Sequence, residues 1–230
     1  MPLLRRFVLA LAATSIDALL LLWALGGWRG LIANERAIAL IVLWGVGALW
    51  LAWLRPIGRQ DTVAVDLDHG LVLTLLFVLP LVSTPLAAFG ERAGIGGWSE
   101  PLALAWAGVA LAGLGLLIRI AAMAQLGTRF APVAAMQREH SLETHGLYRY
   151  VRHPGYLGAW LAALGGALAF RSVLGLPLVA LMGWLLHVRV VREEALLERH
   201  FGEAYRLYRA RTGRFLPRLV PPTAEPGGAP

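Results

Sequence analysis

The residue types best suited to hold a polar ligand concentrate in one stretch, Gly146-Leu147-Tyr148-Arg149-Tyr150-Val151-Arg152-His153-Pro154-Gly155-Tyr156-Leu157-Gly158. Proline has no amide hydrogen and a fixed φ, so Pro154 predicts the first turn of a helix with His153 at or just before its start. Unpaired amides and the positive end of the helix dipole favour an anionic group there. Arg152 adds a forked cation that matches a carboxylate. Tyr148, Tyr150 and Tyr156 supply aromatic faces on which a sulfonium or a purine can pack, and hydroxyls that can hydrogen-bond. The same residues also suit a plain interfacial anchor to lipid headgroups, and composition alone leaves both readings open.

A second stretch, Val188–Tyr208, reads as one helix continuing out of the last apolar run. Val190, Leu197, Phe201, Ala204 and Tyr208 recur at helical spacing, and Glu194 and His187 fall on the same stripe. A carboxylate inside an apolar stripe is costly unless an arginine or a ligand group partners it. Glu193 lies at the edge of the stripe, with Arg192 and Arg199 close by on the helix surface. The competing reading is an amphipathic helix on the membrane whose Glu–Arg pairs stand in water.

The elements that must position these groups are set by composition. The chain has 230 residues, 58% hydrophobic and 15% charged, with no cysteine and a mean hydropathy of +0.63. Soluble domains carry about 25% charged residues, so this chain belongs largely in lipid. Disulfides, thiolate metal sites and cysteine nucleophiles are excluded. All 21 basic residues are arginine, which excludes lysine-based Schiff-base and phosphate-loop chemistry. The expected architecture is an all-α, polytopic integral membrane bundle of about six transmembrane helices with no Rossmann domain. The spans read as Phe7–Leu25, Ala37–Leu54, Leu71–Phe89, Leu102–Met123, Tyr156–Phe170 and Val173–Val188. The last two form a tight hairpin joined by Arg171-Ser172, and both are short enough for a tilted or re-entrant pair. The first resembles a signal peptide at its start, but its apolar run reaches span length and reads as a retained helix. Trp23, Trp28, Trp53 and Trp98 read as interfacial anchors.

With the N-terminus in the cytoplasm, seventeen arginines fall on the cytoplasmic side and four, Arg29, Arg36, Arg92 and Arg171, on the other. That bias predicts an integral membrane protein, in the inner or plasma membrane if bacterial, with both termini cytoplasmic, and it accounts for the net charge of +7 without nucleic acid. Residues 1–100 form an N-terminal group of three helices and loops, 101–219 a core with a cytoplasmic site, and 220–230 a proline- and glycine-rich tail expected to be disordered. Asp17 stands near the middle of the first span, where an ionisable group is a functional suspect. Arg119, near a cytoplasmic helix end, is expected to snorkel. Gly113 and Gly115 lie in a span and suit close helix packing. His140, His145 and His153 lack metal-ligand spacing, so no metal is expected, and Asp61, Asp66 and Asp68 read as a solvated loop.

Taken together, Leu126-Gly127, His140-Ser141-Leu142-Glu143-Thr144-His145-Gly146-Leu147-Tyr148 and Arg152-His153-Pro154-Gly155-Tyr156-Leu157-Gly158 resemble the isoprenylcysteine carboxyl methyltransferase family. So do Glu193-Glu194-Ala195-Leu196-Leu197, Phe201-Gly202, Tyr205, Tyr208 and Phe215-Leu216-Pro217. The similarity extends to phospholipid N-methyltransferases and covers roughly Gly113 to Pro217. It departs at Leu147, where the family often has proline, and in a long N-terminal portion that matches no motif. The resemblance implies an integral membrane methyltransferase using S-adenosylmethionine, with a lipophilic small molecule or lipid-anchored substrate as acceptor. It implies cofactor binding by Gly113, Gly115, Tyr148, Arg152, His153, Pro154, Tyr156, Glu193 and Glu194. Glu194 is expected to hold a polar group of the cofactor and Arg199 to orient an acidic acceptor. Two other readings remain: an NADPH-dependent sterol-type membrane reductase, and a non-catalytic membrane protein on a methyltransferase-like scaffold.

Overall fold

Apolar residues face outward along the first helix. Leu4, Val8, Leu9, Leu11, Ile16 and Leu19 are all exposed, as expected of a surface whose solvent is hydrocarbon. A computed structural model describes residues 3–54, 62–65, 70–98, 102–127, 135–137 and 142–218. Eight α-helices are described: α1 Leu3–Ala24, α2 Trp28–Ile32, α3 Glu35–Leu54, α4 Gly70–Ala93, α5 Leu102–Leu126, α6 Pro154–Leu168, α7 Leu176–Phe201 and α8 Glu203–Arg211. Two short strands, β1 Thr62–Val65 and β2 Ala135–Gln137, pair antiparallel. They leave the all-helical membrane architecture unchanged, and no Rossmann-like sheet is present among the described residues. The 220–230 tail, the Asp61, Asp66 and Asp68 loop and His140 lie outside the described residues.

Five helices are long and apolar enough to cross a membrane, where the sequence suggested about six. The difference lies in the hairpin, whose arms are unequal. Helix α6 has 15 residues, a length of about 22 Å at 1.5 Å per residue, below the roughly 30 Å hydrocarbon core. Helix α7 has 26 residues, so the last span and the stretch carrying Glu193 and Glu194 are one helix. It does not run on to Tyr208: Gly202, at φ 54° and ψ −124°, ends it and starts α8 in a new direction. Only glycine adopts that backbone without strain.

The short α6 is held by backbone proximity. It runs antiparallel to α5, with Gly158 and Gly165 facing Gly115, Ala112 and Gly108. A Cβ on Gly165 would stand 2.3 Å from the Ala112 nitrogen, and one on Gly158 2.6 Å from the Arg119 nitrogen. Small residues on both helices permit this contact, which in lipid replaces the hydrophobic drive available in water. Against α7, the Trp160 indole donates to the Val179 carbonyl at 3.1 Å.

The far end of the hairpin is fastened by charge. Arg36 Nη2 and Arg171 Nε both reach Glu91 Oε1 at 2.9 Å, while Arg36 Nη1 donates to the Ala169 carbonyl at 2.6 Å. Ser172 donates to the Ile95 carbonyl at 2.9 Å and caps the turn leading into α7. Helices α3, α4, α6 and α7 are thereby joined at the end opposite Arg152.

Candidate functional site

Pro154 opens α6 with His153 as its N-cap residue, as the sequence predicts. The approach to this helix is fixed by α5. The Gln125 side chain accepts from Leu147 N at 3.0 Å and donates to the His145 carbonyl, clamping the turn at Gly146, whose φ is +53°. Tyr148 is buried; its hydroxyl donates to the Ala122 carbonyl at 3.4 Å, and its own carbonyl accepts from Tyr208 Oη at 2.7 Å. Tyr148 is therefore an anchor between α5 and α8.

Arg152, His153 and Glu194 meet in the interior. Arg152 Nε donates to Glu194 Oε1 at 2.8 Å, and Arg214 Nη2 donates to Oε2 at 2.6 Å. Glu194 is 4% exposed and Arg152 9%. Arg152 Nη1 also donates to the carbonyls of Arg209, at 3.2 Å, and Thr212. His153 Nε2 stands 3.3 Å from Glu194 Oε1 but outside hydrogen-bond alignment, and it is a buried atom without a hydrogen-bond partner among the described residues. The partner that the stripe position of Glu194 demands is thus protein arginine, supplied twice.

Residues 212–215 form a strap along the chain that enters α6. Gly213 N donates to the Tyr150 carbonyl at 3.2 Å, Arg152 N to the Gly213 carbonyl at 2.9 Å and His153 N to the Arg214 carbonyl at 3.1 Å. Phe215 thereby comes within 6.3 Å of the His153 ring.

Beside this centre, Tyr156 Oη donates to Glu193 Oε2 at 2.7 Å and accepts from Arg189 Nε at 2.8 Å. His153 stacks on Tyr156 with ring centroids 5.7 Å apart. Tyr205, on α8, is fully buried, and its hydroxyl has no hydrogen-bond partner among the described residues. Burial, then the nearby Glu194 carboxylate, pushes that phenol above its ordinary range.

Of the residues singled out from sequence, Arg152, His153, Pro154, Tyr156, Glu193 and Glu194 come together. Gly115 and Gly113 serve packing: a Cβ on Gly115 would meet the Ala162 nitrogen at 2.4 Å, and one on Gly113 would touch Leu43 of α3 at 3.7 Å. Arg199 is exposed and lines an open groove with Ala195, Glu198 and Arg206. Sequence reasoning missed Arg189, 4% exposed, and Arg214. The Arg189 signal was its spacing of four from Glu193 on one helix; Arg214 gave none, because the strap is irregular.

Lipid-length helices closed at one end around a buried arginine, carboxylate and histidine define a polytopic helical membrane protein with a polar centre. Residues 103–204 match the phospholipid methyltransferase family. A protein-S-isoprenylcysteine O-methyltransferase of Schizosaccharomyces pombe is 37% identical over 111 residues, 47% of this chain and 47% of that protein. A probable protein-S-isoprenylcysteine O-methyltransferase of Oryza sativa subsp. indica is 29% identical over 165 residues, 70% of this chain and 83% of that protein. The solved structure of the eukaryotic intramembrane Ras methyltransferase, an isoprenylcysteine carboxyl methyltransferase, is similar at a TM-score of 0.49 and 18% identity, over 94% of this chain and 87% of that one. The family match falls in the C-terminal half of the chain, on the stretch that carries Arg152, His153, Glu193 and Glu194. The chain spans about half the length of the Schizosaccharomyces pombe and Tribolium castaneum relatives, 47% and 51%.

Proposed function

We propose that this protein is an integral membrane O-methyltransferase that takes its methyl group from S-adenosylmethionine and passes it to the carboxylate of a lipophilic, isoprenylcysteine-like acceptor. The observation that carries the reading is the convergence of Arg152-His153-Pro154 with Glu193 and Glu194 inside the stretch that matches the family. Sidedness follows the arginine bias, with the polar centre and both termini cytoplasmic, the side from which a polar nucleotide arrives.

The residues present suit such a donor. Among the described residues, the buried Tyr205 Oη has no hydrogen-bond partner and the buried His153 Nε2 has only the poorly aligned Glu194 carboxylate at 3.3 Å, so a polar ligand could engage both. Among the described residues, Glu193 has Tyr156 as its hydrogen-bond partner. It is also less buried than Glu194, so it is the carboxylate placed to accept from a ligand ammonium. Glu194, taken up by two arginines, holds the strap and acts on the ligand through Arg152 and His153. The first-turn amides of α6 suit the ligand carboxylate. When bound, the donor supplies an electrophilic methyl group on sulfur. The contribution of the chain is then alignment in a space poor in water, with Tyr156, His153 and Phe215 excluding solvent.

The test is a thermal-shift comparison of the detergent-solubilised protein with S-adenosylmethionine, S-adenosylhomocysteine and NADPH, followed by transfer of labelled methyl to a lipophilic thioether acid. The expected result is stabilisation by both S-adenosyl compounds and label in the acid. Stabilisation by NADPH alone would support the reductase reading, and stabilisation by none a non-catalytic scaffold. Replacing Glu193 with Gln should weaken donor binding about tenfold.

A further inference from the structure

Four arginines, Arg29, Arg36, Arg92 and Arg171, stand at the end of the bundle opposite Arg152, against two carboxylates there among the described residues, Glu35 and Glu91. Arg36 and Arg171 take up Glu91. Arg29 and Arg92 are left exposed, with no ion pair among the described residues. Arg92 is nevertheless held in place. Where Arg119 of α5 turns inward to the Gly155 carbonyl at 3.2 Å rather than snorkelling, Arg92 lies on the outer surface at the end of α4. Its guanidinium carbon is 5.4 Å from the centre of the Phe89 ring, and Phe89 stacks on Trp23 of α1 with centroids 5.8 Å apart and 11° between planes. The same side chain rests on Gly26, where a Cβ would stand 2.8 Å from its Nη1 and 3.3 Å from its Cδ. Gly26 has φ +79°, so the turn and the close approach both require glycine.

An arginine that only reaches for water needs no such seat. A guanidinium fixed over an aromatic pair, without a carboxylate, suits an anion supplied from outside the chain. The surroundings indicate its source. Trp23 and Trp28 are each 68% exposed, as aromatic anchors at headgroup level are. Leu19, one turn before Trp23 on the same face of α1, is exposed as well, so the neighbours of the bound anion are acyl chains. We propose that Arg92, seated on Phe89 and Gly26, binds the phosphate of an anionic glycerophospholipid whose chains run along Trp23 and Leu19. The fork matches phosphate oxygens in pairs. The surplus of arginine over carboxylate at this end favours a headgroup of net negative charge over a zwitterionic one. The site lies at the end away from the polar centre and is independent of the methyl-transfer reading.

Phosphatidylglycerol and phosphatidylcholine with the same acyl chains compete for the full chain in detergent, and native mass spectrometry reads the lipid retained. Wild type should retain phosphatidylglycerol about fivefold or more over phosphatidylcholine. Arg92→Gln should remove that preference. Arg92→Lys keeps the charge without the fork and should fall between them, and it serves if the glutamine variant does not fold. Arg149→Gln removes another exposed arginine that lies over an aromatic ring, Tyr150 at 5.9 Å, at the opposite end, and should leave the preference in place. Absence of a preference in wild type would overturn the proposal, and so would a preference that survives Arg92→Gln. Loss of the preference in both glutamine variants would reduce it to net charge and overturn it likewise. Equal loss of both lipids in Arg92→Gln would assign Arg92 to packing alone, with the same consequence. Displacement of the lipid by inorganic phosphate at equal concentration would give the site to the free anion and also overturn it.

Discussion

Arg152 and Glu194, 42 residues apart in sequence, are joined by a 2.8 Å bond between Nε and Oε1, with both side chains buried. Through it the start of α6, the end of α7 and the strap after α8 become one unit.

Removing one partner is therefore expensive. Glu194→Ala leaves Arg152 buried without compensation and should destabilise the protein by about 3–5 kcal/mol. Glu194→Gln keeps shape and part of the hydrogen bonding and should lose less. Denaturant unfolding in micelles, followed by tryptophan fluorescence, measures both. A change below about 1 kcal/mol for the alanine variant would show the pair to be solvated.

Arg214 is the outer partner, its side chain 35% exposed. Its replacement by alanine should lower stability by only about 1 kcal/mol, yet loosen the strap. Amide exchange at Arg152 and His153, which donate to the strap carbonyls, should accelerate while exchange in mid-α5 stays constant. Unaltered exchange at those two amides would mean that the strap holds without the ion pair.

The two glycines of α5 should behave differently. Gly115→Ala drives a methyl into the α6 backbone and should cost about 1–3 kcal/mol. Gly113→Ala meets only ordinary contact with Leu43 and should be neutral or slightly stabilising. Thermal unfolding ranks them, and equal effects would contradict the packing assigned to α5 and α6.

Tyr208, on α8, donates to the Tyr148 carbonyl, and burial pushes its phenol from 10.0 up to about 12, with Arg152 opposing in part. The raised value favours the neutral form in the folded state. Its contribution is complete below pH 10.0 and is lost as pH rises through about 12. Unfolding midpoints measured across that window should fall, and Tyr208→Phe should flatten the slope.

Much of this was legible in the chain itself. Apolar runs gave the spans because lipid demands them, Pro154 gave the start of α6, and the stripe position of Glu194 demanded a partner. What escaped was non-local or irregular. The stripe continues past Gly202 to Tyr208, so periodicity carried one helix across a break that a single positive φ makes. Glu91 joins Arg36 and Arg171 from three separate elements, and no spacing rule links them. Gly113 and Gly115 are alike in sequence and differ only in which neighbouring helix each faces.

The strap also sets an order of assembly. A nascent chain that has inserted α1 to α7 still lacks Thr212, Gly213 and Arg214, and with them the second cation on Glu194 and the cover over His153. The polar centre is consequently completed only once the residues after α8 have been made, so a chain cut after Phe201 would keep its long helices and lack the second cation on Glu194.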